Sequence, residues 1–109
     1  MPRAATTTDA FNAIAEPRRR EIIDVLVDGK THTVGEMVER LRMPQPAVSK
    51  HLGVLKDARL VRDRPEGRQT HYSAEPKGIA PLIDWLKHCG EFWRDRLDRL
   101  GDLLERMDR

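Results

Sequence analysis

The sequence predicts a mainly α fold with a small β-hairpin, in the order α-α-α-α-β-β-α, and three observations carry that prediction. Four stretches ahead of residue 59 set apolar side chains at helical spacing, residues 60–64 and 69–73 read as short strands around Pro65-Glu66-Gly67-Arg68, and apolar residues then step by three or four almost to the end. At 109 residues the chain fits one domain whose single core buries roughly two thirds of the unfolded surface. A charged content of 35% against 5% aromatic suits a compact helical protein with a well-solvated surface.

Residues 1–8 are small and polar and read as a disordered tail ahead of a domain spanning residues 9–107. Asp9 to Ala15 sets Phe11, Ile14 and Ala15 at helical spacing. Pro17 suits the first turn of the next helix, whose apolar face is Ile22, Ile23, Leu26 and Val27 and which stops at Gly29. Thr33-Val-Gly-Glu36 matches a capping box, in which hydroxyl and carboxylate satisfy free first-turn amides, and Met37, Val38 and Leu41 turn the third helix inward. Pro44 and Pro46 punctuate the short connection to a fourth helix, where Val48, Leu52 and Leu55 recur at i, i+4 and i+7 beside Ala47 and Ala58.

The opposite side of that fourth helix carries Gln45, Ser49, Gly53 and Lys56, flanked by Lys50. Two helices joined by a few residues, the second showing polar donors outward, describe a helix-turn-helix whose second helix can enter a major groove. The hairpin after it is a wing, giving a winged helix-turn-helix, and it sets Arg64 and Arg68 where phosphates of a duplex would run. Charge agrees with this placement. Residues 40–72 hold eight Lys/Arg against three Asp/Glu although the whole chain is only +2, so the basic surface a polyanion needs is concentrated there.

From Pro81 to Met107 the residues Leu82, Leu86, Cys89, Trp93, Leu97, Leu100, Leu104 and Met107 form one stripe, with Trp85, Phe92 and Leu103 a second. A single helix of that length would span about 40 Å, more than a small domain covers by itself. Its surplus apolar face calls for a second copy of the same helix in a twofold dimer.

Other chemistry is weakly represented. No Gly-rich phosphate loop, nucleophile–base pattern or converging carboxylates suggest an enzyme. The four histidines are scattered, so neither metal nor other cofactor is expected, and Cys89, the sole cysteine, has no partner for an internal disulfide. His51, beside Leu52, reads as a half-buried, hydrogen-bonded packing group rather than a base reader. Arg18-Arg19-Arg20 stands at a helix start, where cations oppose the helix dipole, so some of these side chains are expected to pair with Asp/Glu or reach phosphate, and the sequence does not separate the two. With no apolar run long enough for a signal or a membrane span, a cytoplasmic protein is expected.

The run from Phe11-Asn-Ala-Ile-Ala-Glu-Pro-Arg-Arg-Arg-Glu-Ile-Ile through Val48-Ser-Lys-His-Leu-Gly-Val-Leu-Lys-Asp-Ala-Arg-Leu-Val to Glu66-Gly-Arg68 and Tyr72 resembles the arsenic-repressor (ArsR/SmtB) family of winged-helix transcription regulators. The resemblance implies a homodimer held by the first and last helices, with Phe11, Ile14, Leu86, Cys89, Trp93, Leu97, Leu100 and Leu104 at the interface. It also implies duplex DNA as partner, with Gln45, Ser49, Lys50 and Lys56 at bases or phosphates and Arg64 and Arg68 along the backbone. The third helix lacks the cysteine pair of metal-sensing members, and Asp84 and His88 lack a second ligand cluster, so the chain resembles the metal-independent branch. Arg59 stands where most relatives have Gly, and a left-handed backbone there would cost about 1 kcal/mol.

The function expected from these residues is sequence-specific repression at an imperfect inverted repeat. The alternative is a winged-helix protein-interaction module that does not bind DNA.

Overall fold

The computed structural model describes residues 9–108, and the expected tail at 1–8 lies outside them. These residues form two compact units, one ending at Ile79 and the other beginning at Ala80.

In the first unit, α1 (Ala10–Ile14) starts on Asp9, whose Oδ1 accepts the Asn12 N–H at 2.8 Å. The helix buries Ala10 and Ala13, while Phe11 stays 41% exposed and Ile14 half-buried, so its inward face is the small one. Helix α2 (Pro17–Leu26) has Glu16 as N-cap and buries Ile22, Val25 and Leu26 at i, i+3 and i+4. Val25 therefore takes the place expected of Val27, which lies past the last turn and points outward. Gly29, at φ +80°, then adopts the left-handed backbone that glycine enters without steric cost.

The three arginines of α2 act on helix ends. Arg19 donates from Nε to the Ala13 carbonyl at 2.6 Å and from Nη2 to the Asn12 carbonyl at 3.2 Å, and Arg20 donates to the Ile14 carbonyl at 2.6 Å. Arg18 pairs with Glu21 at 3.0 Å and reaches the Leu41 carbonyl at 3.3 Å. Last-turn carbonyls have no donor within their own helix, so cationic donors satisfy them at the ends of α1 and of α3 (Val34–Leu41).

Between α2 and α3 lies a strand that hydrophobic patterning did not reveal, β1 (His32–Thr33). It belongs to a three-stranded antiparallel sheet of order β1-β3-β2, with β2 Val61–Glu66 and β3 Gln69–Ala74. His32 lies opposite Tyr72 and Thr33 opposite His71. The wing strands pair from Val61↔Ala74 to Glu66↔Gln69, so Pro65 is inside β2 and the turn is only Gly67-Arg68. Gly67, at φ +61°, supplies the positive φ that a two-residue turn needs at its first position.

The Thr33 capping box is present in both directions, with Glu36 N–H to Thr33 Oγ1 at 3.2 Å and Thr33 N–H to Glu36 Oε1 at 3.4 Å. Helix α4 (Gln45–Asp57) buries Val48, Leu52 and Leu55 against the core and ends on Arg59, at φ +62°. The Arg59 N–H bonds the Lys56 carbonyl and the Leu60 N–H the Leu55 carbonyl, both at 2.9 Å. This is the paired hydrogen-bond pattern that closes a helix through one left-handed residue, a role glycine usually fills. The Arg59 carbonyl lies so close to Gly78, in the 3-10 turn Pro76–Ile79, that a side chain at 78 would collide with it.

The second unit is α5 (Ala80–His88) followed by α6 (Gly90–Met107). The expected continuous helix from Pro81 to Met107 is thus divided at Cys89, with Gly90, a weak residue in a helix interior, at the break. Leu82 is the buried residue of α5, and none of α6 is buried. Ten of the thirteen large apolar residues left exposed fall between Ile83 and Met107, which makes this face the main uncovered apolar surface among the described residues.

Candidate nucleic-acid interface

Burial of Val48, Leu52 and Leu55 forces the other side of α4 outward, and Gln45, Ser49, Lys50, Gly53 and Lys56 are all exposed. Lys50 makes no ion pair among the described residues. Lys56 has a partner. Its Nζ lies 2.8 Å from Asp63 Oδ2 and ties the end of α4 to β2. That hydrogen bond holds the Asp63 carboxyl below the usual carboxylate range and raises Lys56, so a phosphate at Lys56 would share it with Asp63.

On the wing, Arg64 pairs with Glu66 at 2.7 Å, whereas Arg68 at the turn is exposed and makes no ion pair among the described residues. Gln45 and Arg68 line one concavity of about 320 Å³ together with Thr33, Val34, Gly35, Gln69, Thr70 and Tyr72. The first turn of α4 and the wing tip therefore open onto a common space, floored by the start of α3. Arg62, which the sequence does not single out, belongs with these residues. It lies two residues before Arg64, lines a second concavity of about 430 Å³ with Arg64 and His71, and has only a distant contact with Glu75 at 3.8 Å. The period-2 alternation of a strand, applied backward from Arg64, is the signal that finds it.

Two histidines beside these elements differ sharply. His51 is half-buried as expected, but its buried Nδ1 has no hydrogen-bond partner among the described residues, and desolvation, helped by Arg19, pushes its pKa down. His32 is buried with both ring nitrogens engaged, Nδ1 at 2.7 Å from Glu36 Oε2 and Nε2 at 2.8 Å from Asp28 Oδ2. The Glu36 hydrogen bond, reinforced by Asp28, raises the His32 pKa against the opposing effect of burial. Asp28 is held low first by the Lys30 N–H and then by His32, and Glu36 first by His32.

The residues expected at a dimer interface are spread over both units. Phe11, Leu86, Trp93, Leu97, Leu100 and Leu104 are exposed, and Ile14 and Cys89 half-buried. Within α6, Arg96 stacks over Phe92 at 4.0 Å and Arg99 pairs with Asp95 at 3.0 Å, which leaves the leucines uncovered. Among the described residues no three or more His, Cys, Asp or Glu side chains are grouped to hold a metal ion, and no helix is long and apolar enough to cross a membrane.

A polar outward helix preceded by a short turn and followed by a basic hairpin defines the class of winged helix-turn-helix transcription regulators. Residues 16–63 match the model for bacterial regulatory proteins of the arsR family. The chain is 41% identical over 96 residues to the HTH-type transcriptional regulator Rv2034 of Mycobacterium tuberculosis, covering 88% of this chain and 86% of that one. It is also 33% identical to the transcriptional repressor SdpR of Bacillus subtilis, covering 72% and 86%. A crystal structure of a possible transcriptional regulator for arsenical resistance superposes with a TM-score of 0.70 at 36% identity, covering 84% of this chain and 92% of that one. The chain belongs to the arsR family, whose members are DNA-binding transcription regulators and not enzymes.

Proposed function

We propose that the protein is a cytoplasmic homodimeric repressor of the metal-independent branch, with residues 9–107 serving as one DNA-binding and dimerisation domain. Each protomer offers one α4 to a half-site of an imperfect inverted repeat, the two half-sites lying about 34 Å apart on one face of the duplex. Gln45, Ser49 and Lys50 meet bases or phosphates. Arg68, Arg64 and, after sharing Asp63, Lys56 follow the backbone. The observation that carries this reading is the shared concavity of Gln45 and Arg68, which presents helix and wing to a single ligand.

Dimerisation is supported by the uncovered apolar run of α5 and α6, and Phe11 and Ile14 of α1 are assigned to the same interface. A repressing outcome follows from promoter occupancy, and SdpR, a relative, is named a repressor. The test is a binding titration on duplex fragments selected from a random pool, repeated at several salt concentrations. Ser49→Ala with Lys50→Ala abolishes preference for the selected fragment, while Arg68→Ala weakens every sequence alike and flattens the salt slope by about one unit. Variants that titrate like the parent contradict the assigned surface. A parent that binds no duplex at low salt favours the protein-interaction alternative.

A further inference from the structure

The ion cluster at His32 sits where three elements meet. Asp28 belongs to the turn after α2, Glu36 to the first turn of α3, and His32 itself to β1, the strand that pairs with the inner wing strand β3. An ionised carboxylate only accepts hydrogen bonds, so both ring nitrogens must donate, and only the imidazolium has two N–H groups. Glu36 performs a second task with its other oxygen, closing the capping box on the Thr33 N–H.

Strand β1 is two residues long, too short for backbone pairing alone to fix it. Its side-chain clamp anchors it to α3 and to the α2 turn. Thr33, Val34 and Gly35, which follow directly, line the same concavity as Gln45 of α4 and Arg68 of the wing. The clamp therefore ties β1, and through its pairing the inner wing strand β3, to the start of α3.

Resting on the DNA-binding reading above, we infer that His32, doubly hydrogen-bonded as a cation between Asp28 and Glu36, is the positioning residue that docks the wing, so that duplex affinity follows its charge. The groups facing it are Asp28 with Lys30 behind that carboxylate, Glu36 from α3, and on β3 Tyr72 opposite it with His71 one residue along. His71 is the other imidazole of this set, and its own carboxylate contact, Glu66, is 3.8 Å away. Loss of the His32 proton leaves a donor for only one carboxylate and turns the other against an imidazole lone pair. Because the His32 pKa is raised above the ordinary imidazole value, the cation is held to higher pH than in the unfolded chain and is lost as pH rises through the folded value.

The experiment pairs two readouts on the parent, His32→Gln and His71→Gln. One is the imidazole 15N shift of His32 followed from pH 6 to 9, and the other is the dissociation constant for a selected duplex at fixed ionic strength over the same range. Expected are two protonated ring nitrogens at pH 7 and a parent affinity that falls about tenfold as that proton is lost, a coupling of ordinary size. His32→Gln should bind about tenfold more weakly at pH 7 with no such fall, and His71→Gln should keep it. Asp28→Asn, which removes one carboxylate and keeps the histidine, should move the fall to lower pH and decides the matter if His32→Gln does not fold. A neutral His32 at pH 7, a fall retained in His32→Gln, or one abolished in His71→Gln overturns the inference. A parent whose affinity ignores pH also removes it alone, whereas a parent that binds no duplex at any pH removes the DNA-binding reading and this inference together.

Discussion

Arg59→Gly should make the protein more stable. Arg59 holds φ +62° because two hydrogen bonds, from its own N–H to Lys56 and from the Leu60 N–H to Leu55, close α4 only through a left-handed residue. In that conformation the Cβ of an L-residue crowds the following carbonyl, at a cost of about 1–2 kcal/mol that glycine does not incur. Glycine returns about 0.5–1 kcal/mol of this through the greater freedom it gives the unfolded chain. The side chain is exposed and makes no hydrogen bond or ion pair among the described residues, so little is lost with it. At the centre of these ranges a net gain of about 0.75 kcal/mol remains, equivalent to about 3–6 °C in Tm for a domain of this size. Thermal unfolding at one fixed protein concentration measures it, with Arg59→Ala as the control that keeps the Cβ and should leave Tm nearly unchanged. An unaltered or lowered Tm for Arg59→Gly, or an equal gain for Arg59→Ala, would show that the backbone is not the source of the strain.

Gly78→Ala should cost about 1–3 kcal/mol in chemical denaturation, because the added methyl meets the backbone of Arg59, which has no rotamer to move away. Leu97→Glu with Leu100→Glu should leave the folded monomer intact and weaken self-association about 100-fold, the effect of removing two apolar side chains from a buried seam, as sedimentation equilibrium would show. Stability should have two opposed limbs with pH. His51 has a lowered folded pKa, so its contribution is present above the unfolded value near 6.5 and is lost as pH falls below it, while that of His32 is present below 6.5 and is lost as pH rises through its raised value. Denaturation at pH 5.5, 7 and 8.5 should show the acid limb flattened in His51→Gln and the alkaline limb flattened in His32→Gln.

Much of this architecture is legible in the sequence because its signals are local. The i, i+4, i+7 spacing of Val48, Leu52 and Leu55 fixes which side of α4 is buried, and the Thr33/Glu36 capping box marks the start of α3 to the residue. The Arg59 strain is signalled by the family resemblance, which puts glycine at that position, and the backbone there is left-handed at φ +62°. What escaped depends on contacts between elements. His32 finds its carboxylates four residues away on either side, a spacing that means nothing until the chain turns at Gly29 and enters a strand before α3 begins. Arg18, Arg19 and Arg20 look like a basic patch in one dimension, yet the carbonyls they satisfy come from the ends of two other helices. The break at Cys89 leaves the apolar stripe on both sides uninterrupted, so periodicity passes straight across it.

In the proposed complex two copies present their α4 helices one helical turn apart on a duplex. Inserting five base pairs between the half-sites of a selected operator tests it most directly, since half a turn moves one half-site to the opposite face and leaves every base contact within each half-site unchanged. Specific binding of the dimer should be lost with five added base pairs while each half-site's sequence is still present. Undiminished affinity for the altered operator would contradict it.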